Sequence, residues 1–331
     1  MYPIHRNRRL RSSESLRILL QETYLSHNDF IVPLFIIEGN NREEKIPSMP
    51  GYNRMSVDLL SKHVKNLWNL GLKAILLFVK ISDNLKDNKG DEALNPDGLM
   101  QRAIKEIKNS VPEMIVMTDV ALDPYSSYGH DGIVEEGKIL NDKTIDVLSK
   151  MALSHALCGA DVVAPSDMMD GRILKIRKEL ESANLYDTVI MSYSAKYASS
   201  FYGPFRDALN SAPGFGDKKT YQMDFRNRKE AVIETKRDLE EGADIVMVKP
   251  GLAYLDIIRD LKEEINAPIA AYQVSGEYSM LKAASEKGWI DHDQIMIEQL
   301  LSFKRAGANL IASYFAEEIA KNYLMLKSLL N

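Results

Sequence analysis

Two lysines stand where amine chemistry could take place. Lys249 closes the apolar run IVMVK, and Lys196 closes VIMSYSAK. A lysine at the end of such a run has apolar neighbours, and burial disfavours its ammonium form. The neutral amine is a nucleophile toward carbonyl carbon, so the chemistry on offer is a Schiff base. Bringing an amine from about 10.4 to near 7 takes ~4–5 kcal/mol of differential interaction. A second ammonium facing the same pocket supplies part of it, because like charges depress one another. A lone lysine of this kind often snorkels to water or pairs with an acid. Two on neighbouring strands favour the amine reading.

Other groups follow in the chain. Arg206 and Lys218, with Gln222 just beyond, would ordinarily be solvated loop residues, but beside Lys196 they suit a carboxylate clamp. Ser275 and Tyr314 offer neutral donors for a second carboxylate. Asp119, Asp123 and Asp131, with His130, gather around ALDPYSSYGHDG. Asp123-Pro124 also reads as plain turn chemistry. As metal ligands, these oxygens favour a hard cation over zinc. Glu230 and Glu234 lie one helical turn apart, and a solvated helix face accounts for that spacing.

The elements that must position these groups alternate. Eight short apolar runs begin at Ile31, Ala74, Met114, Asp161, Thr188, Asp244, Pro268 and Asn309. They are too short and too continuously apolar for surface helices and suit parallel strands buried on both faces. Between them runs helical spacing, as in Val57, Leu60, Val64, Leu67 and Leu70, or Leu99, Ala103, Ile104 and Ile107. The triplets Gly159-Ala160-Asp161, Gly242-Ala243-Asp244 and Gly307-Ala308-Asn309 repeat one helix-to-strand junction. The count predicts an α/β fold, a (β/α)8 TIM barrel, whose strand C-termini form the active-site face. Asp119, Asp167, Lys196, Lys249, Ser275 and Tyr314 fall at or near those ends. An open doubly wound sheet would want GxGxxG or GxxxxGK, and neither occurs. Residues 194–220, with Tyr197, Phe201, Tyr202, Phe205 and Phe215 and the pair Pro213-Gly214, read as an ordered lid. Residues 13–25 read as a short helix.

Composition sets outer limits. A chain of 331 residues fits two domains or one large barrel with additions. A net charge of −5 argues against a body built to bind nucleic acid. One cysteine, Cys158, excludes an intramolecular disulfide and an all-cysteine zinc site, and suits a reducing, cytoplasmic setting. No apolar run approaches the ~20 residues of a membrane span. The start MYPIHRNRRLR has no apolar stretch, so it is not a secretory signal, and Glu14 and Glu22 argue against a mitochondrial presequence.

The segments RNRRLR, PLFIIEG, IPSMPG, APSDMMDGR, SYSAKYASSFYGPFRDA, TYQMDFRN, MVKPG and YQVSGEY, in this order, resemble the delta-aminolevulinic acid dehydratase (porphobilinogen synthase) family from end to end. The resemblance implies a lyase, a hydro-lyase of heme and tetrapyrrole biosynthesis. It would join two 5-aminolevulinate molecules into porphobilinogen with loss of two waters. It implies an arm over residues 1–30, a catalytic barrel over 31–331, and a homo-oligomer, usually an octamer. Lys196 then matches the Schiff-base lysine of the first substrate and Lys249 that of the second. Arg206, Lys218 and Gln222 match the holders of one carboxylate, with Lys218 where many relatives have Arg. Ser275 and Tyr314 match the holders of the other. Asp119, Ser166, Asp167, Tyr193, Phe201 and Tyr202 are expected to support the site.

The resemblance departs at the metal. Zinc-type members have three cysteines where this chain has Ala121, Asp123 and Asp131. The pattern is similar to the aspartate-type, magnesium-responsive subgroup. No active-site zinc is expected. Asp123 and Asp131 become candidate ligands of an active-site cation, magnesium or a monovalent ion, and Glu234 the ligand of an allosteric magnesium, with Arg11 of an arm beside it. The nearest rival is a class I aldolase, which needs one lysine and phosphate-binding glycines near the last strands; SYFAEE there argues against it. A second rival is a non-catalytic protein using RNRRLR on nucleic acid or an acidic membrane, disfavoured by the shortness of that motif and the acidic body. No nucleic-acid or membrane partner is expected.

Overall fold

The eight apolar runs are eight parallel strands: β1 Phe30–Ile37, β2 Ala74–Lys80, β3 Ile115–Val120, β4 Val162–Pro165, β5 Val189–Lys196, β6 Ile245–Lys249, β7 Ile269–Gln273 and β8 Leu310–Ser313. Each pairs with the next, and β1 closes on β8 through Phe30 opposite Ile311 and Ile31 opposite Ala312. The result is a (β/α)8 barrel, as expected. A computed structural model of the chain describes residues 1–211, 214 and 216–329, with side chains to 322. Pro213 and Phe215 of the expected lid therefore lie outside the described residues.

The strands are nearly solidly buried, all of β1 and all but the first residue of β5. Apolar side chains fill the barrel inside and the helix layer outside, which is why the runs show no alternation. Around the barrel stand α1 Val57–Asn69, α2 Leu99–Ser110, α3 Asn141–Leu157, α4 Arg172–Ser182, α5 Lys229–Glu240, α6 Leu255–Glu264, α7 His292–Ala306 and α8 Ala316–Leu329, with a further helix, Ser275–Glu286, directly after β7. α1 buries Leu60, Val64 and Leu67, and α2 buries Leu99, Ala103, Ile104 and Ile107. Among the described residues no helix is long and apolar enough to cross a membrane.

The repeated triplet has a physical job. Gly159, Gly242 and Gly307 take positive φ, between 105° and 125°, ending a helix in a conformation that L side chains rarely adopt. The polar residue two positions on then returns to the neighbouring strand. Asp161 accepts the N–H of Val116, Asp244 that of Ile190, and Asn309 that of Ile269. Each clasp fixes the register of a strand pair at the end of the barrel away from the mouth.

Two additions flank the barrel. A small hairpin of Glu43–Lys45 and Asn53–Met55 follows β1 and carries Arg54. Arg54 donates to the carbonyls of Asp207 (2.7 Å) and Ala208. It thereby ties down a short helix of the lid, Gly203–Leu209. At the N-terminus the helix expected over 13–25 is only Glu14–Leu19. Ser13 caps its start, but no residue of this helix is buried. Short helices without a packed face are marginal in water, and the chain turns at Gln21–Tyr24 through side-chain bonds of its own.

Candidate active site

Strand pairing sets Lys196 directly opposite Lys249, at the C-terminal ends of β5 and β6. Both lysines are buried, 6% and 5% exposed. The bond network around them divides into two unlike halves.

The Lys196 half is ionic. Lys196 Nζ donates to the carbonyl of Ser166, just past β4, and lies 3.5 Å from Asp131 Oδ2. Lys218 Nζ sits 2.7 Å from Asp131 Oδ1 and 3.7 Å from Asp123 Oδ2. Gln222 Nε2 donates to Asp131 Oδ2 at 3.4 Å. Burial pushes the Asp131 carboxyl up, but Lys196 and Lys218 together outweigh it and hold it at about 2. Burial also raises Asp123 against the pull of Lys218. The ammonium of Lys218 thus takes the position between Asp123 and Asp131 that the sequence reserved for a cation. The expectation of an ion held there does not fit this arrangement, because the neutralising charge is already on the chain. Arg206, on the lid helix, lines the same cavity, and its guanidinium makes no hydrogen bond or ion pair among the described residues.

The Lys249 half is aromatic. Lys249 Nζ makes no hydrogen bond or ion pair among the described residues. Instead the ring centroids of Tyr272, Phe205, Tyr193 and Tyr202 lie 4.7, 4.8, 5.0 and 5.4 Å from it. Burial first, and Lys196 second, bring this amine down to about 7. Asp119, at the end of β3 and lining the same cavity, is driven up to about 7 by burial and by Asp123, and its Oδ1 has no partner. The buried Tyr193 hydroxyl also lacks one.

Ser275 and Tyr314 do not line this cavity. Ser275 Oγ accepts the N–H of Phe205, which does line it, at 2.9 Å, and the Tyr314 hydroxyl shares a 3.0 Å hydrogen bond with Tyr272, one of the rings around Lys249. Tyr202 donates to the carbonyls of Tyr197 (2.7 Å) and Lys249 (3.1 Å), fastening the lid to the β6 end. Phe201 packs with its backbone against Gly276, where a Cβ would lie 2.4 Å from the Phe201 carbonyl oxygen. Asp167 is not part of the cavity wall. It accepts the Met169 N–H, and Arg172 Nε approaches it at 3.6 Å.

Four residues have roles that the sequence does not announce. Phe205 reads from sequence only as a lid aromatic, and Tyr272 gives no sign of its place. Glu277, inside YQVSGEY, is buried and accepts N–H groups from Val274, Leu252 and Ala253. It ties the loop after β6 to the helix after β7, and burial, opposed by these N–H groups, raises its carboxyl to about 7. Arg172, buried on α4, reaches Asp238, Ser192 and the Tyr193 carbonyl, bracing β5 from below. Among the four, Glu277 carries a readable signal, a carboxylate three residues into a helix.

A separate groove outside the mouth is lined by Asp170, Tyr221, Glu230 and Glu234, among others. Glu234 is paired with Arg237 at 3.1 Å, and burial raises its carboxyl. These hard oxygens fit a hydrated divalent cation of the magnesium type. Arg11 makes no hydrogen bond or ion pair with Glu234 within the chain. Among the described residues, the histidine and acidic side chains close enough to share one ion are His292, Asp293 and Glu318, away from both places.

Residues 4–322 match the family model described as delta-aminolevulinic acid dehydratase. Proteins of that name from Methanothermus sociabilis, Bradyrhizobium diazoefficiens and Bacillus subtilis are 54%, 51% and 49% identical to this chain. The matches cover 97%, 96% and 96% of this chain and 99%, 90% and 97% of the relatives. The crystal structure of the Toxoplasma gondii ME49 delta-aminolevulinic acid dehydratase (porphobilinogen synthase), in complex with the reaction product porphobilinogen, is similar with a TM-score of 0.95. It is 50% identical, and the match covers 97% of this chain and 92% of that one.

Proposed function

This chain belongs to the delta-aminolevulinic acid dehydratase family and is a lyase that joins two 5-aminolevulinate molecules into porphobilinogen with release of two waters; from that premise we propose that Lys196 and Lys249 carry the two substrates as imines. The observation that supports this most is the in-register pair of buried lysines at the barrel mouth. Two substrates attached side by side turn an encounter between separate molecules into a reaction of neighbours, and such orientation supplies roughly 7–11 kcal/mol. Each imine draws electrons from the adjacent carbon and makes its proton removable near neutral pH. Asp119, with its raised carboxyl and unpartnered oxygen, is placed to take or return such a proton.

The carboxylate of one substrate is held by Arg206, Lys218 and Gln222. Lys218 and Gln222 bond the carboxylate of Asp131, which supports their suitability as carboxylate donors. Ser275 and Tyr314 serve the other substrate. Magnesium binds in the groove of Glu234 and acts on assembly, with residues 1–30 docking on a neighbouring subunit of an octamer and Arg11 reaching toward Glu234. No zinc is required at Asp123 and Asp131. The cytoplasm is the compartment that suits this enzyme.

The test is reductive trapping. Borohydride added during turnover of labelled 5-aminolevulinate should leave label on Lys196 and Lys249, located by peptide mass spectrometry. Label on neither lysine, with turnover intact, overturns the imine reading.

A further inference from the structure

We propose that the ring faces of Phe205 and Tyr272, completed by Tyr193 and Tyr202, are the counter-charge for the Lys249 nitrogen while it is cationic, so that Phe205 and Tyr272 act on the reacting atom itself. The inference rests on the imine reading of Lys249. Its geometry is independent of that reading. Four ring centroids surround Nζ within 5.4 Å, drawn from β5, the lid and β7, and no carboxylate lies in contact with it. The ionisable groups that act on it from farther away are Lys196, Asp119, Asp123 and Asp131.

An aromatic face attracts a cation through its quadrupole and cannot accept a proton from it. A carboxylate in the same place would hold the ammonium as such and resist its conversion to a nucleophile. The difference matters because the nitrogen begins and ends the attachment step positively charged. The ammonium gives up two protons; its lone pair forms the C–N bond to the ketone carbon; the C–O bond breaks. Both protons leave on the oxygen as water, and the nitrogen keeps the positive charge as an iminium. The cage faces a cation at both ends of this step and a neutral amine in between.

A packing role alone predicts something different, and Phe78 separates the two. Its ring packs on Phe205 (centroids 5.0 Å apart) and on Tyr272 (6.5 Å), without a cation contact to Lys249. The experiment measures the apparent pKa of Lys249 in the full, substrate-free protein, from the pH dependence of reductive methylation at that residue by mass spectrometry. Phe205→Leu and Tyr272→Leu should each lower it by about half a unit or more. Tyr272→Phe should restore it, and Phe78→Leu should leave it in place. Although more of the amine is then free at pH 7, kcat should fall by roughly threefold to tenfold, with KM changed less. Placing mono-, di- and trifluorophenylalanine at position 205 keeps the shape and weakens the face, so the pKa should fall in steps; this series decides the matter if a leucine variant does not fold. An unmoved pKa in the fluorinated series, or an equal shift in Phe78→Leu, overturns the cage. Borohydride trapping that spares Lys249 removes the imine reading instead, and the two failures are read by separate measurements.

Discussion

Lys196 and Lys249 are neighbours across one pair of hydrogen-bonded strands, yet one is held by oxygens and the other by rings. Lys196 lies against the Ser166 carbonyl and Asp131, within a chain of charges that continues to Lys218 and Asp123. The Lys249 nitrogen is ringed by aromatic faces and makes no hydrogen bond or ion pair among the described residues. Ionic surroundings fix a side chain's direction through hydrogen bonds; ring faces attract a cation but cannot accept its proton, and burial brings the Lys249 amine down to about 7. Two identical residue types, on one sheet, are thereby given different resting chemistry by what the loops bring over them.

The largest test of this contrast removes the lysines. Lys249→Met and Lys196→Met should each lower porphobilinogen formation by roughly 10³-fold or more with the far-UV circular dichroism unchanged. If one variant keeps substantial turnover, only one half carries covalent chemistry.

Asp131→Ala strikes the ionic half alone. It leaves Lys196 and Lys218 buried without their shared carboxylate, and breaking such a pair costs about 3–5 kcal/mol. Denaturant melts at pH 7 should show that loss. The loss should shrink as pH rises, because Lys218, whose ammonium Asp131 favours in the native state, can then shed its proton. A destabilisation below about 1 kcal/mol would mean the carboxylate is not what holds this half together.

The aromatic half is tested by pH. Lys249, lowered to about 7, must lose a proton to act, so kcat/KM should rise through a limb near that pH. Asp119→Asn removes a negative charge that favours the ammonium, so the limb should move to lower pH. The expected displacement is about half a unit to one unit. A limb that moves upward, or that follows Lys196→Arg instead, would assign it to the other half.

The smallest effects belong to the groove of Glu234. Tyr221 lines that groove, and its hydroxyl accepts the Asp131 N–H at 3.3 Å, so magnesium there should reach the ionic half first. Glu234→Ala should remove a magnesium stimulation of a few-fold and leave basal turnover and the pH limb where they were. Deleting residues 1–11 should lower oligomer size and the stimulation together, measured by sedimentation and colour assay. Activity that is lost with zinc-selective chelators and restored by zinc alone would overturn the proposal that no zinc is required.

The barrel was legible because parallel strands buried on both faces leave continuous apolar runs, and because a lysine closing such a run is conspicuous. The three clasps were legible as a repeated triplet, although their return bonds to the neighbouring strand were not. The aromatic cage was not legible: Tyr193, Phe205 and Tyr272 come from three elements with no common spacing, and meet only when the barrel closes and the lid settles. The pairing of Lys218 with Asp123 and Asp131 was hidden for a similar reason. Those residues are far apart in the chain, and each alone looks like a loop charge. The helix expected over 13–25 shortens to Glu14–Leu19, none of whose residues is buried, because a short helix without a packed face is marginal in water.

The hydroxyl of Ser275 has one further implication. It accepts the Phe205 N–H from the lid while its own proton makes no hydrogen bond among the described residues. If a substrate carboxylate takes that proton, as proposed, the hydroxyl becomes more electron-rich and grips the lid more firmly. Occupancy and closure would then be a single event read through one oxygen atom. Product could escape no faster than that grip is released, so the residence time of porphobilinogen on the enzyme would be set by how readily one serine lets go of one loop.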